Sequence, residues 1–113
     1  MTDVGGGGGG SGLEWSVVSV NTAAADGYGY LVNSSGGAII VTAPPTPTEG
    51  EMFGVVCLGD SETYNITINR NGENIMGAAA NKTISTNRYG LTLVYANVPS
   101  GWVIVSEVNQ VQW

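Results

Sequence analysis

Residues 64–77 read Tyr64-Asn65-Ile66-Thr67-Ile68-Asn69-Arg70-Asn71-Gly72-Glu73-Asn74-Ile75-Met76-Gly77, and the reading of this stretch decides the fold. Ile66 and Ile68 alternate with Thr67 and Asn69, the period-two pattern of a half-buried strand. Asn71-Gly72 then supplies the two residues with φ > 0 that a type I′ turn requires. A hairpin closed there sets Arg70 opposite Glu73, Asn69 opposite Asn74 and Ile68 opposite Ile75. Ile66, Ile68, Arg70, Glu73 and Ile75 then share one face, with an ion pair beside the turn. Cross-strand pairs of this kind contribute about 0.2–1 kcal/mol each. A lone hairpin is marginal in water, so the other apolar runs must supply its neighbours and a second layer.

Those runs are short and well separated. Leu13–Val20 reads as a strand with Leu13, Trp15 and Val17 on one face. Tyr28–Asn33 and Ala38–Ala43 flank the turn Ser34-Ser35-Gly36-Gly37, which predicts a second hairpin. Pro44, Pro45 and Pro47 remove backbone donors and stiffen the following crossover. Met52–Leu58 is apolar on both sides apart from Gly54, the signature of a central strand. Lys82–Thr86, Leu91–Ala96 and Trp102–Val108 complete the set. No segment keeps a helical period. Strands punctuated by turn signals every ~8–12 residues predict an all-β fold, a small antiparallel β-sandwich or barrel of jelly-roll-like type. The expected domain spans residues 13–113. Met1–Gly12 precedes it as an extended Gly-rich N-terminal arm, whose unbroken run Gly5, Gly6, Gly7, Gly8, Gly9 and Gly10 cannot order by itself.

Composition narrows the function. Nine acidic and three basic residues, with no histidine, give a formal net charge of −6. The cations are Arg70, Lys82 and Arg88, so the clustered Lys and Arg of a nucleic-acid surface are missing and no nucleic acid is expected as a partner. Charged residues make up 11% of the chain, against about a quarter in an average soluble domain. Solubility then falls to Asn, Thr, Ser and Gly, or a partner covers part of the surface. No run approaches the ~20 apolar residues of a membrane span, so no membrane is expected. The N-terminus lacks the basic and apolar regions of a secretory signal. Cys57, the one cysteine, lies in Val55-Val56-Cys57-Leu58 and reads as a buried, inert thiol.

The motifs do not read as an enzyme. The glycine run is followed by no Lys-Ser/Thr pair and preceded by no strand, so it is not a phosphate loop. Cys57 has no histidine to activate it, and Gly-x-Ser-x-Gly is absent. Glu49 with Glu51, and Asp60 with Glu62, sit in turns where carboxylates face water. Asp60-Ser61-Glu62 lacks the spaced oxygens of a calcium loop, and zinc has no ligand set. No cofactor and no metal are expected. Asn33-Ser34-Ser35, Asn65-Ile66-Thr67 and Asn81-Lys82-Thr83 match the glycosylation acceptor pattern, a chance match in a chain this rich in Asn, Ser and Thr. The candidate interface residues are Trp15, Trp102 and Trp113, because desolvated aromatics dominate interface energetics. Gly5–Gly10 join them as an arm that lies close along a neighbouring backbone. A sugar-stacking platform is the competing use of the aromatics.

Gly29-Tyr30-Leu31-Val32-Asn33, Gly37-Ala38-Ile39-Ile40-Val41-Thr42-Ala43-Pro44 and Glu49-Gly50-Glu51 follow one another in that order. Asn65-Ile66-Thr67-Ile68-Asn69-Arg70-Asn71-Gly72 with Ile75-Met76-Gly77, then Leu91-Thr92-Leu93-Val94-Tyr95 and Gly101-Trp102, continue it. From Trp15 to Val105 this order resembles a β-rich module of tailed-bacteriophage virion proteins. Ala43 and Glu51 depart from it, standing where the module usually has leucine and aspartate. The resemblance implies a non-enzymatic structural protein of the virion. A copy of the module with a glycine arm and no shaft fits a capsid decoration or cement protein that binds the outer shell and stabilises it. The partners implied are the major capsid protein or other virion subunits, with the chain itself a homo-oligomer, trimer or dimer, on the outer capsid surface. The alternative is a tail-fibre or appendage component that binds a host surface glycan or protein.

Overall fold

Runs of β-branched and aromatic residues, cut by Gly, Asn and Pro, form nine strands in residues 12–108, the part of the chain that the computed structural model describes. They are β1 (Glu14–Val18), β2 (Thr22–Ala23), β3 (Tyr28–Val32), β4 (Ile39–Thr42), β5 (Met52–Cys57), β6 (Ile66–Asn69), β7 (Lys82–Ile84), β8 (Gly90–Tyr95) and β9 (Trp102–Val108). Sheet I has the order β9-β8-β5-β3-β1, and sheet II the order β2-β4-β6-β7. The all-β expectation holds, and the two sheets enclose one apolar core. The predicted Gly-rich arm, Gly5–Gly10 included, and Trp113 lie outside the described residues.

The expected antiparallel, jelly-roll-like wiring is corrected. β1, β3 and β5 run parallel to one another, as do β2, β4 and β6. Only β7, β8 and β9 join antiparallel. Up to β6 each connection crosses from one sheet to the other, so the chain re-enters a sheet in the direction in which it left. The parallel crossover, usually a helix, is here a strand of the opposite layer, and the chain winds as a flattened coil. The predicted hairpin between Tyr28–Asn33 and Ala38–Ala43 therefore does not form. β3 spends one edge on β1 and the other on β5, which leaves β4 to pair in sheet II.

The Asn71-Gly72 hairpin is corrected in the same way. The turn itself forms: Asn71 and Gly72 have φ of 52° and 89°, and Glu73 N–H donates to the Arg70 carbonyl at 3.1 Å. The returning arm, however, leaves β6. Both edges of β6 are occupied, by β4 on one side and by β7 on the other, with Ile66 opposite Ile84 and Ile68 opposite Lys82. Arg70 donates through Nη1 to the Glu73 main-chain carbonyl at 2.7 Å. The Glu73 carboxylate instead accepts the Tyr95 hydroxyl at 2.6 Å. Residues 73–77 become a strap beside β9. Ile75 is buried and bridges Trp102, and Trp102 N–H donates to the Asn74 carbonyl at 2.8 Å. A side chain at Gly101, where φ is 71°, would overlap the Asn74 backbone.

Inward positions follow the period of two. Sheet I contributes Val32, Phe53, Val55, Cys57, Leu93 and Trp102, and sheet II contributes Val41, Ile66, Ile68 and Ile84. Trp102 anchors one end, edge-on to Phe53 at 5.0 Å and to Tyr95 at 5.3 Å. Cys57 is buried, and its thiol donates to the Gly59 carbonyl at 3.1 Å. At the β7–β9 rim, Lys82 of sheet II lies 3.9 Å from Glu107 of sheet I.

Candidate docking face

The strand register sorts the outward residues of sheet I into three rows. In the first, Trp15, Gly29, Gly54, Thr92 and Ser106 lie side by side. The second holds Val17, Leu31, Val56, Gly90 and Val108. The third holds Met52, Val94 and Val103. None of these side chains is charged. A bulge between Ile104 and Ser106 re-aims β9, so Val105 stands unpaired and exposed.

Trp15 gives the face its shape. Its indole crosses the sheet above β3 and β5, and a Cβ at Gly29 would overlap the ring. A Cβ at Gly54 would come within 2.7 Å of it. The two glycines form a seat, and glycine inside a strand marks such a close approach. Trp15 nevertheless keeps 41% of its surface exposed. Beside it a shallow groove of about 210 Å³ runs over Val56, Gly90 and Thr92 to Ser106 and Val108.

Among the described residues the charged ones lie elsewhere. The Asp26 carboxylate accepts from Met52 N–H at 2.9 Å, at one end of the sheet. Glu51 accepts from Thr48 N–H and Oγ1 in the proline-rich loop. Ser61 Oγ donates to the Thr86 carbonyl at 2.7 Å, and Glu62 N–H donates to Asn87 Oδ1 at 3.1 Å. The acidic pairs of the sequence are thus set in loops held by local hydrogen bonds. Among the described residues no group of three or more His, Cys, Asp or Glu is placed to hold a metal ion. The hydrogen bond to Glu73 holds the Tyr95 phenol above its ordinary pKa, and burial and the nearby negative charge push the same way.

Of the three predicted tryptophans, Trp15 lies on this face and Trp102 is fully buried in the core. Trp113 and Gly5–Gly10 lie outside the described residues. The structure therefore separates Trp15, on the outer face, from Trp102, in the core. The sequence reading missed the seat and the apolar rows, although mid-strand Gly29 and Gly54 were their signal. The rows carry no titrating side chain and two hydroxyls, Thr92 and Ser106, among apolar groups, so their main offer to a partner is exclusion of water. Apolar area covered there is worth about 25 cal/mol per Å². Compared with known proteins, the sequence matches no family model and no curated protein.

Proposed function

We propose that the chain is a non-enzymatic structural subunit of a tailed-phage virion, a decoration or cement protein that covers the outer capsid shell. The observation that carries this reading is the uncharged outer face of sheet I, with an exposed tryptophan seated on two glycines. A face of that kind is an adhesive surface. The resemblance of the motif order to β-rich phage virion modules suggests the partner class. In this reading Met1–Gly12 extends along a neighbouring subunit, where missing side chains let backbones approach. The mechanism is linkage. A subunit that binds only the assembled shell stabilises it by RT ln(1 + [L]/Kd), about 2.7 kcal/mol at a hundredfold excess over Kd.

The second reading, a fibre or appendage component that binds a host glycan, rests on Trp15 alone. Its ring is backed by glycine on one side and open on the other, a geometry suited to stacking on a sugar. Co-sedimentation with purified expanded capsids separates the two. The shell reading expects saturable binding, lost by about a hundredfold or more in Val56→Lys, because a charge desolvated in an apolar interface costs several kcal/mol. Thr67→Lys, on the opposite sheet, should bind as the wild type does. Binding to host cells with no binding to capsids selects the second reading, and binding to neither overturns both.

A further inference from the structure

Beside β9 the strap makes a tight turn of its own, and the first residue of that turn is not one that turns favour. Ile75 and Ala78 exchange main-chain hydrogen bonds at 2.9 and 3.0 Å around Met76 and Gly77, whose φ angles are 52° and 79°. This is the pattern of a type I′ turn, in which Asn, Asp or Gly normally takes the first place. Met76 has no short polar side chain to ease a left-handed backbone. It is nevertheless fixed there, because Met76 N–H donates to the Trp102 carbonyl and Gly77 N–H to the Ser100 carbonyl, both at 2.8 Å. A residue held against its own preference points to a use for its side chain. Here that use is an edge amide. Trp102 N–H turns away from β8 toward the strap, and two residues on Ile104 N–H does the same. The acceptor for Ile104 is the Met76 sulfur, at 3.3 Å. A thioether is a weak acceptor, and Met76 keeps 58% of its surface exposed.

We propose that Met76 is a site of reversible oxidation by hydrogen peroxide, and that oxidation releases the Ile104 amide. The thioether sulfur has two lone pairs. One accepts the Ile104 N–H, and the exposure of the residue leaves the other for the oxidant. That second pair attacks one peroxide oxygen and the O–O bond breaks. The proton on the attacked oxygen passes to the departing hydroxide, so the products are the sulfoxide and water. Sulfur loses two electrons and the peroxide gains them. A sulfoxide sulfur is a stereocentre, and with one lone pair held against β9 a single epimer forms. The new oxygen then lies on the side away from Ile104, and the electron-poor sulfur no longer holds the amide. One tie between the strap and β9 is lost, while the bond from Trp102 N–H to the Asn74 carbonyl stays. Methionine sulfoxide reductases reverse the change, one enzyme for each epimer. Met52, half-buried on the outer face of sheet I, is the internal comparison. The inference is independent of the shell reading.

Limited treatment of the full chain with hydrogen peroxide tests it. Trypsin cuts after Arg70 and Lys82, so the peptide 71–82 carries Met76 and neither Met1 nor Met52. Mass spectrometry of the digest should find Met76 oxidised ahead of Met52. Its sulfoxide should be reduced almost wholly by one of the two epimer-specific reductases, whereas a chain oxidised in urea should yield both epimers in similar amounts. Amide exchange followed by NMR reads the release. Exchange at Ile104 should quicken by about threefold to tenfold on oxidation, the effect of one weak hydrogen bond, and exchange at Trp102 should not change. Met76→Leu keeps the bulk without the acceptor, so its Ile104 amide should exchange at the fast rate with or without peroxide. Each of three results overturns the proposal: a Met76 that reacts no faster than Met52, both epimers from the folded chain, or an Ile104 amide that stays protected after oxidation.

Discussion

The two sheets differ chiefly in what they turn outward. Both bury an apolar inner face, Val and Ile in sheet II, and Val with Leu, Phe, Tyr and Trp in sheet I. Outside, sheet II shows Ile40, Thr42, Thr67, Asn69 and Thr83, whereas sheet I shows Trp15, Val17, Leu31, Met52, Val56, Val94, Val103 and Val108, with Thr92 and Ser106 as its hydroxyls. Threonine and valine have nearly the same shape and both favour strands. Sheet II therefore demonstrates that this architecture stands with hydroxyls and amides on its outer side. Folding does not need the apolar exterior of sheet I, and that surplus points to contact with something else.

The sharpest way to break the contrast is to fill the seat. Gly54→Val should displace the Trp15 ring and cost about 1–3 kcal/mol, as overpacking does. Thr67→Val on sheet II should stay within about 0.5 kcal/mol, as substitutions away from such features do. Urea unfolding of the two variants side by side measures the difference, and equal midpoints would mean that the two exteriors are energetically alike.

A weaker probe acts beneath both faces. The Tyr95 phenol has a folded pKa above its ordinary value, so its contribution is complete below the unfolded pKa of about 10. It is lost as pH rises through the folded value, because the unfolded chain gives up this proton first. Thermal melts between pH 9 and 11 should fall more steeply for the wild type than for Tyr95→Phe. Parallel curves would remove Tyr95 from the account. The smallest effect belongs to the rim. Lys82 and Glu107 are 3.9 Å apart with 33% and 46% of their side-chain surfaces exposed, and Lys82→Met should change stability by less than about 1 kcal/mol. A larger loss in urea unfolding would mean that the rim, and not the core, holds the two layers together.

The strands were legible because alternation and turn chemistry are local. Met52–Cys57 and Trp102–Val108 fall within a residue of the segments read from the chain. Ile66 and Ile68 point to the core, and Asn71-Gly72 turns with both φ angles positive. Partners were not legible, because pairing is a competition among all edges. Arg70 to Ile75 holds good local signals for a hairpin, yet β7 arrives later and takes the edge of β6. Ser34–Gly37 looks like a hairpin turn and serves as a crossing between layers, since no local signal reveals that β5 will claim β3. The docking face was half legible. Trp15 was singled out for its type, but its seat needs Gly29 and Gly54 in one row, and that row exists only once parallel strands are aligned. Trp102 carries the same residue type into the core, where only the fold distinguishes it.

The late arrival of β8 has a consequence for synthesis. β5 pairs with β3 as soon as the coil winds, but its other edge waits for Val94 and Leu93, which lie opposite Met52 and Phe53. Until they emerge, a strand with apolar residues on both sides presents unpaired amides and carbonyls to its surroundings. Contacts so distant in sequence form slowly, and such a nascent edge invites aggregation. Yield in a heterologous host should therefore depend on how soon the chain beyond Gly90 is made and folded, more than on the stability of the finished sandwich.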